Sequence, residues 1–124
     1  MTEEELPQVL DTDTFQALTD EVGEDVARAF LDEYLTMLPA RAAKIFKGLA
    51  GNELEPALEA IISLKTSSAM VGAFRLEAYC SDLERALKLG RAPDQGTIRA
   101  VLSANMRLVI REASRQGHLR RPRD

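Results

Sequence analysis

Histidine and cysteine are almost absent from this 124-residue chain, which contains one of each and no tryptophan. A single cysteine cannot form an internal disulfide bond, and one histidine with one cysteine cannot supply the ligand cluster that zinc needs. The sequence therefore predicts no metal site, and its lone cysteine favours a reducing compartment. The glycine patterns of P-loops and dinucleotide-binding folds are also missing, so we expect no bound cofactor.

Long apolar runs and an excess of positive charge are missing as well. No apolar run approaches the ~18 residues that a membrane-spanning helix needs. The N-terminal residues lack the basic start and apolar stretch of a signal peptide. The net charge of −4 and the pI near 5.1 argue against a general nucleic-acid-binding protein. We therefore expect a cytoplasmic protein that has neither a membrane nor a nucleic acid as its partner.

The chain is instead rich in alanine, leucine, glutamate and arginine, which favour α-helices packed through aliphatic side chains. Glycine and proline divide it into helical segments near residues 12–22, 24–47, 52–71, 74–89 and from residue 93 onward. Along the second segment, apolar residues recur at helical spacing: Val26, Phe30, Tyr34, Leu38, Ile45 and Leu49. Pro39 lies inside that pattern, so we expect a kink or a break there.

The starts of the helices are predicted from residues that can accept hydrogen bonds from the free backbone N–H groups of the first turn, or that lack such an N–H. Asp11 or Asp13 is placed to cap the first helix. Asn52 is followed three residues later by Glu55, the spacing of a capping box, so we expect Asn52 to cap the third helix. Pro93 suits the first turn of the fifth helix, where its missing N–H has no cost.

Short connections between long amphipathic helices favour antiparallel packing of sequential neighbours. We predict an all-α protein, an antiparallel up-down four-helix bundle with an additional short N-terminal helix, forming one domain over residues 1–117. Charge is uneven along it: residues 1–33 contain eleven acidic side chains and a single basic one. Residues 118–124 are predicted to form a basic, disordered tail.

The central residues 61–84 read IISLKTSSAMVGAFRLEAYCSDLE. The positions that fit a known pattern are Leu64, Lys65, Ser67, Ser68, Ala69, Val71, Gly72, Ala73, Leu76, Cys80, Leu83 and Glu84. With this set the chain resembles the histidine-containing phosphotransfer (HPt) domains of bacterial multistep phosphorelays. In that family a helix carries His-x-Leu-Lys-Gly-Ser-Ser/Ala and a hydrophobic-Gly-Ala step, and the next helix carries Leu, Cys and Leu-Glu. The resemblance implies an HPt-like bundle, monomeric, with a response-regulator receiver domain or a hybrid histidine kinase as partner.

Two positions depart from the family pattern: Ile62 stands where the resemblance places the phosphorylated histidine, and Thr66 where it places glycine. Phosphoryl transfer needs an in-line nucleophile, and isoleucine has no lone pair to offer. Thr66 lies one turn further along the same helix face and adds a β-branched side chain there. We therefore expect a degenerate member that has no catalytic residue, is not an enzyme, and binds its partner without accepting phosphate.

The predicted partner-binding residues are those on the same side of the third helix: Glu59, Ile62, Lys65, Thr66 and Ala69. Helical geometry places Ile62 about 100° from the core residue Ile61, at the edge of the buried stripe. Ile62 is therefore either an apolar anchor in an interface or an addition to the core. Lys65 either meets the acidic pocket of a receiver domain or extends to solvent along its own helix.

Other readings stay open at this point. An active phosphotransfer protein could use another acceptor. One candidate is His118, which we place in the tail beyond the bundle. The others are the hydroxyls of Ser63, Thr66, Ser67 and Ser68, although no histidine base is adjacent to them. The bundle could also serve outside phosphorelays, as a dimeric structural module or through an anion-binding tail at residues 116–124. Cys80 falls on a core-facing family position, so we predict a buried, inert thiol.

Overall fold

Apolar residues spaced three or four apart produce five α-helices in the described part of the chain, residues 6–118 of a computed structural model. These are α1 Thr12–Val22, α2 Glu24–Ala50, α3 Leu54–Val71, α4 Phe74–Lys88 and α5 Gln95–Arg115. Helices α2 to α5 form the bundle: α3 packs between α2 and α4, and α5 closes the ring against α4 and α2. Helix α1 lies across α2 and α3. The predicted all-α bundle with an additional short N-terminal helix is confirmed.

Helix α1 begins where its N-terminal N–H groups find an acceptor in the preceding residue. The Asp11 carboxylate accepts hydrogen bonds from the Thr14 backbone N–H at 3.1 Å and from the Thr14 hydroxyl at 2.6 Å. The predicted Asp11 cap is thus confirmed. The Asp11 backbone N–H also donates to the Gly72 carbonyl at 2.9 Å, which attaches α1 to the end of α3. Gly72 itself has a left-handed φ of 86°, and a Cβ there would meet Asp11 and Thr14.

Helix α2 runs without interruption through Pro39, so of the expected kink or break the break is wrong. Pro39 lies on the exposed side of α2, where water can satisfy the carbonyl that lacks an N–H donor. The adjacent residues Leu38 and Ala42 are buried against the rest of the bundle and hold the helix on both sides of the proline. Val26, which we placed in the apolar stripe, is 58% exposed. At the N-terminal end of α2 the buried residue is Ala27 instead.

The connection from α2 to α3 is tighter than expected. Asn52 adopts a left-handed φ of 55° and belongs to the turn, so it does not cap α3 as predicted. Glu53 is the residue before α3, and its side chain makes no capping hydrogen bond. Just before the turn, a Cβ on Gly48 would lie 2.9 Å from the Ala57 backbone nitrogen. Glycine at position 48 therefore permits the close approach of α2 and α3.

Helix α5 is capped by Asp94, whose carboxylate accepts from the Thr97 backbone N–H at 2.9 Å and from its hydroxyl at 2.9 Å. Pro93 precedes this cap and lies outside the helix, so its predicted place in the first turn is wrong. The reason is that the Asp94 side chain accepts from the backbone N–H three residues later, so the helix begins at Gln95, two residues after Pro93.

The core is aliphatic, as the composition predicts. Its largest fully buried side chains are Leu31, Leu38, Ile45, Ile61, Leu64, Leu76, Ile98, Leu102, Val71 and Val109. Ser68 is the buried polar residue of the described chain, and its Oγ is paired with the Tyr34 hydroxyl at 2.8 Å. Cys80 is also fully buried, which raises the pKa of its thiol to about 12. The prediction of a buried thiol is confirmed, and this pKa keeps it in the unreactive form near neutral pH.

The end of α5 folds back toward the start of the chain. The Gln116 side chain donates to the Leu10 carbonyl at 2.9 Å. Gly117, with φ of 84°, turns the chain so that the His118 ring packs on Phe15 with centroids 4.7 Å apart. His118 therefore contacts the bundle, and its predicted place beyond the bundle is wrong. The rest of the predicted tail, residues 119–124, lies outside the described residues.

Candidate functional site

The outer face of α3 carries the residues that the sequence singled out. The inner face of this helix buries Ala57, Ile61, Leu64, Ser68 and Val71. Because successive residues turn by about 100°, Ile62 emerges beside that stripe, and its side chain is 38% exposed. Ile62 is thus a surface residue, and the alternative that it adds to the core is wrong. Glu59 and Thr66 are exposed on the same side, while Lys65 and Ala69 are half-buried.

Lys65 is held by a partner on the neighbouring helix. Its ammonium nitrogen Nζ lies 2.6 Å from Oε1 of Glu84 on α4. The other oxygen of Glu84 accepts from Lys88 at 2.7 Å, so one carboxylate serves two ammonium groups. These hydrogen bonds, that of Lys65 first, lower the pKa of Glu84. Lys65 therefore neither extends freely to solvent nor presents an unpaired charge.

Beside this face, α2 and α3 enclose a groove that the sequence reading did not anticipate. Its cavity volume is about 460 Å³. Three basic residues of α2, Arg41, Lys44 and Lys47, line one wall, and Glu53 and Glu59 line the other. The spacing of the basic residues, three apart along a helix, is the signal that could have placed them on one face.

Arg41 joins this groove to the residue next to Ile62. Its guanidinium donates to the Ser63 hydroxyl, while the Arg41 Nε is buried without a hydrogen-bond partner among the described residues. The Ser63 carbonyl in turn accepts from the Ser67 hydroxyl at 2.8 Å. Two of the four hydroxyls considered as alternative phosphoacceptors are therefore engaged in hydrogen bonds at this surface.

The remaining alternative acceptors have different surroundings. Ser68 is buried and bonded to Tyr34, so it does not meet solvent. Thr66 is exposed, with no histidine elsewhere on α3 to act as its base. His118 lies against Phe15 of α1, where burial, with a smaller effect of the Arg28 charge, lowers its pKa. The chain's histidine thus belongs to the α1 side of the molecule and packs on an aromatic ring.

The described residues add two general findings. None of the helices within residues 6–118 is long and apolar enough to cross a membrane. The same residues contain no group of three or more histidine, cysteine, aspartate or glutamate side chains that could hold a metal ion.

The four-helix bundle carries Lys65 on α3 and a Gly-Ala step, Gly72 and Ala73, directly after that helix. The family model described as the Hpt domain matches residues 29–113, which include most of α2 and all but the end of α5. The chain belongs to the Hpt domain family. As a family, Hpt domains interact with receiver domains and histidine kinases in phosphorelays.

A solved Hpt structure has the same fold. The crystal structure of histidine-containing phosphotransfer protein B (HptB) from Pseudomonas aeruginosa PAO1 matches with a TM-score of 0.77 and 19% sequence identity. The match covers 90% of this chain and 97% of HptB. At this identity the likeness concerns the fold alone. A comparison with curated proteins found no match.

Proposed function

We propose that this Hpt domain binds a receiver domain or a hybrid histidine kinase without accepting phosphate at the usual position. The observation that carries the proposal is Ile62: an aliphatic side chain, 38% exposed, at the position where the family pattern has its histidine. The phosphorelay partner remains that of the family, while the chemistry of the acceptor position is lost.

The absence of a nucleophile follows from elementary chemistry. In phosphoryl transfer the acceptor atom donates a lone pair in line with the leaving oxygen, and a side chain of carbon and hydrogen has none. A serine or threonine hydroxyl needs a nearby base to become a good nucleophile. Ser63 and Ser67 instead make hydrogen bonds with Arg41 and the helix backbone. These surroundings favour binding without group transfer.

The same face has the features of a protein interface. An exposed aliphatic group surrounded by polar side chains is the arrangement that concentrates binding free energy in interfaces. Ile62 has Glu59, Lys65 and Thr66 around it, and Arg41 and Lys44 lie in the adjoining groove. The basic residues match the acidic pocket that the family resemblance implies for a receiver domain, and such charge complementarity speeds association.

Binding is tested with the full chain and receiver domains from its own organism, by calorimetry. We expect Ile62→Asp to weaken binding by about tenfold or more, since it places a charge in a desolvated contact. Val26→Asp is the matched control, because Val26 is 58% exposed near the start of α2 and away from this face. If wild type and Ile62→Asp bind the receiver domain equally well, the α3 face is not the binding surface.

Phosphate acceptance is measured separately. The chain is incubated with a phosphorylated receiver domain, and mass spectrometry under neutral conditions seeks an added phosphoryl group. We expect none on residues 54–71. A phosphoryl group on Thr66, Ser67 or His118 would instead favour an active relay protein that uses another acceptor.

A further inference from the structure

The groove between α2 and α3 exists because several of its lining side chains are small. These are Ala40, Gly48, Pro56 and Ala60. Gly48 is buried at the point where α2 approaches the Ala57 backbone, so the longer side chains on either side form the walls. The groove volume of about 460 Å³ lies within the range of roughly 300–1,000 Å³ that small-molecule sites occupy.

The two walls of the groove carry opposite charges that do not meet. Helix α2 contributes Arg41, Lys44 and Lys47, while Glu53 and Glu59 belong to the other wall. None of these five side chains has an ion-pair partner within residues 6–118. A ligand with both a negative and a positive group would find a charge of opposite sign on each wall, which is the complementarity that favours binding.

Arg41 lacks protein partners for most of its hydrogen-bond donors. A guanidinium group has five N–H donors, and within the described residues Arg41 uses one, from Nη1 to the Ser63 hydroxyl. The Arg41 Nε is buried without a partner, which costs free energy until an acceptor reaches it. A carboxylate or phosphate suits this group, because guanidinium binds such oxyanions through two parallel N–H groups. The side chain would turn from the neutral Ser63 hydroxyl to a charged acceptor.

The packing of α2 against α3 sets the order of the charges along the groove. Arg41 is opposite Ser63, and Gly48 is opposite Ala57, so the two helices run antiparallel here. Glu59 precedes Ser63 by four residues on α3. At a rise of 1.5 Å per residue, Glu59 therefore lies about 6 Å along the groove from the level of Arg41.

We propose that the α2–α3 groove binds a small zwitterion, with its carboxylate or phosphate on Arg41 and its ammonium group on Glu59. Lys44 follows Arg41 by three residues on the same wall and adds a second positive charge for the oxyanion. Short peptides and phosphorylated amines both carry the two charges at about this separation, and the oxyanion distinguishes them. The site does not depend on the proposed function.

Two probes test the site by titration of the full chain, followed in ¹H–¹⁵N correlation spectra. Glycylglycine carries a carboxylate with its ammonium group, and phosphoethanolamine carries a phosphate. With either probe at up to ~10 mM, we expect the largest shifts at the backbone amides of residues 40–48 and 56–63. The probe that binds more tightly identifies the oxyanion. If neither probe shifts these amides, the proposal is overturned.

Substitution of Arg41 tests the oxyanion contact. Arg41→Gln should weaken binding of the tighter probe by about tenfold, and Arg41→Lys by less, because lysine keeps the charge and loses the forked geometry. Arg91→Gln is the matched control, since Arg91 is exposed in the connection between α4 and α5. Urea unfolding checks that the variants keep their fold. An affinity that Arg41→Gln leaves unchanged overturns the proposal.

Substitution of Glu59 tests the ammonium contact. Glu59→Gln should weaken binding of the zwitterion by roughly threefold, because the ammonium group loses its carboxylate partner. The same variant should bind inorganic phosphate more tightly than wild type does, because a repulsive charge is gone. Glu33→Gln, at an exposed position of α2, is the control and should change neither affinity. If Glu59→Gln changes both affinities in the same direction, the proposed orientation is overturned.

One consequence rests on the proposed function. Arg41 and Lys44 are also the basic residues proposed to meet a receiver domain, so a zwitterion in the groove would compete with the receiver. The two failures are distinguishable, because the titrations contain no receiver and receiver binding is measured without a probe. Probe binding without receiver binding supports this inference and removes the proposed function. Receiver binding without probe binding leaves the proposed function in place and overturns this inference.

Discussion

The Lys65 ammonium group and the Glu84 carboxylate form a 2.6 Å ion pair that joins α3 to α4 at the edge of the outer α3 face. Glu84 is only 13% exposed, and Lys88 occupies its second oxygen. The position of Lys65 is therefore set by α4 rather than by its own helix. A protein that binds this face therefore contacts a lysine that is already ion-paired with Glu84.

This ion pair should make stability depend on pH. The pKa of Glu84 lies below its ordinary value of 4.5 in the folded chain, chiefly through the hydrogen bond from Lys65. The stabilising effect of the Glu84 carboxylate is therefore complete above about pH 4.5. It is lost as the pH falls through the pKa of Glu84 in the folded chain. Glu84→Gln should reduce the free energy of unfolding at pH 7, and the difference from wild type should shrink below pH 4.5.

Urea unfolding of wild type and Glu84→Gln between pH 7 and pH 2 measures this difference. Glu33→Gln, at an exposed position of α2, is the control for removal of a carboxylate outside the pair. A difference between wild type and Glu84→Gln that stays constant over the whole pH range would contradict the assigned role of the carboxylate.

The buried hydrogen bond between Tyr34 and Ser68 should show strong coupling. Removing one partner leaves the other buried and unsatisfied, so Tyr34→Phe and Ser68→Ala should each cost about 1–3 kcal/mol of stability. The double variant should cost clearly less than the sum, because neither polar group is then left alone. Chemical denaturation of wild type, the two single variants and the double variant gives the four free energies of unfolding that a double-mutant cycle needs. Additive losses would mean that the 2.8 Å contact contributes little.

Gly48→Ala should destabilise the bundle despite the higher helix propensity of alanine. The new Cβ would lie 2.9 Å from the Ala57 backbone nitrogen, so α2 and α3 would have to separate. Overpacking of this kind costs about 1–3 kcal/mol, against roughly 1 kcal/mol gained from replacing glycine within a helix. Gly96→Ala, in the exposed first turn of α5, brings a Cβ to 3.2 Å from Asp94 Oδ1, a side-chain oxygen that can shift, so it should cost clearly less than Gly48→Ala. A stabilised Gly48→Ala protein, measured by urea unfolding, would contradict the close approach.

Restoring the family residues should restore phosphate acceptance. Ile62→His supplies the missing nucleophile at an exposed position, but Thr66 still adds its branched side chain one turn away. The double variant Ile62→His with Thr66→Gly should accept phosphate from a phosphorylated receiver on the order of tenfold faster than Ile62→His, because small misplacements slow in-line transfer strongly. Thr66→Gly alone is the control and should accept none. Equal rates for the single and double variants would show that Thr66 does not obstruct the site.

Much of the fold could be predicted because it depends on local spacing. The bounds of α1 and the burial of Leu64, Leu76 and Cys80 follow from helical periodicity and from the family pattern. The errors arose where tertiary packing overrides local preference. Packing on both sides carries α2 through Pro39, and the tight turn before α3 takes Asn52 out of its capping position.

The site divides in the same way. The common face of Ile62, Lys65 and Thr66 follows from the 100° turn per residue, so the sequence predicts it. The pairing of Lys65 with Glu84 joins residues nineteen positions apart and depends on the rotation of α4 against α3. The contact between Arg41 and Ser63 depends likewise on how α2 packs. Neither rotation is encoded in a local pattern.

The contact between Gln116 and Leu10 has a consequence for the connectivity of the fold. Their hydrogen bond brings the beginning and the end of the described chain together. A circular permutant could join those two ends with a flexible linker and open a new terminus in the exposed connection at residues 90–93. The contacts within the α2–α3 and α3–α4 pairs would stay within continuous chain. The α3 face would then be carried in the last third of a rearranged sequence, followed only by α4, with its geometry unchanged.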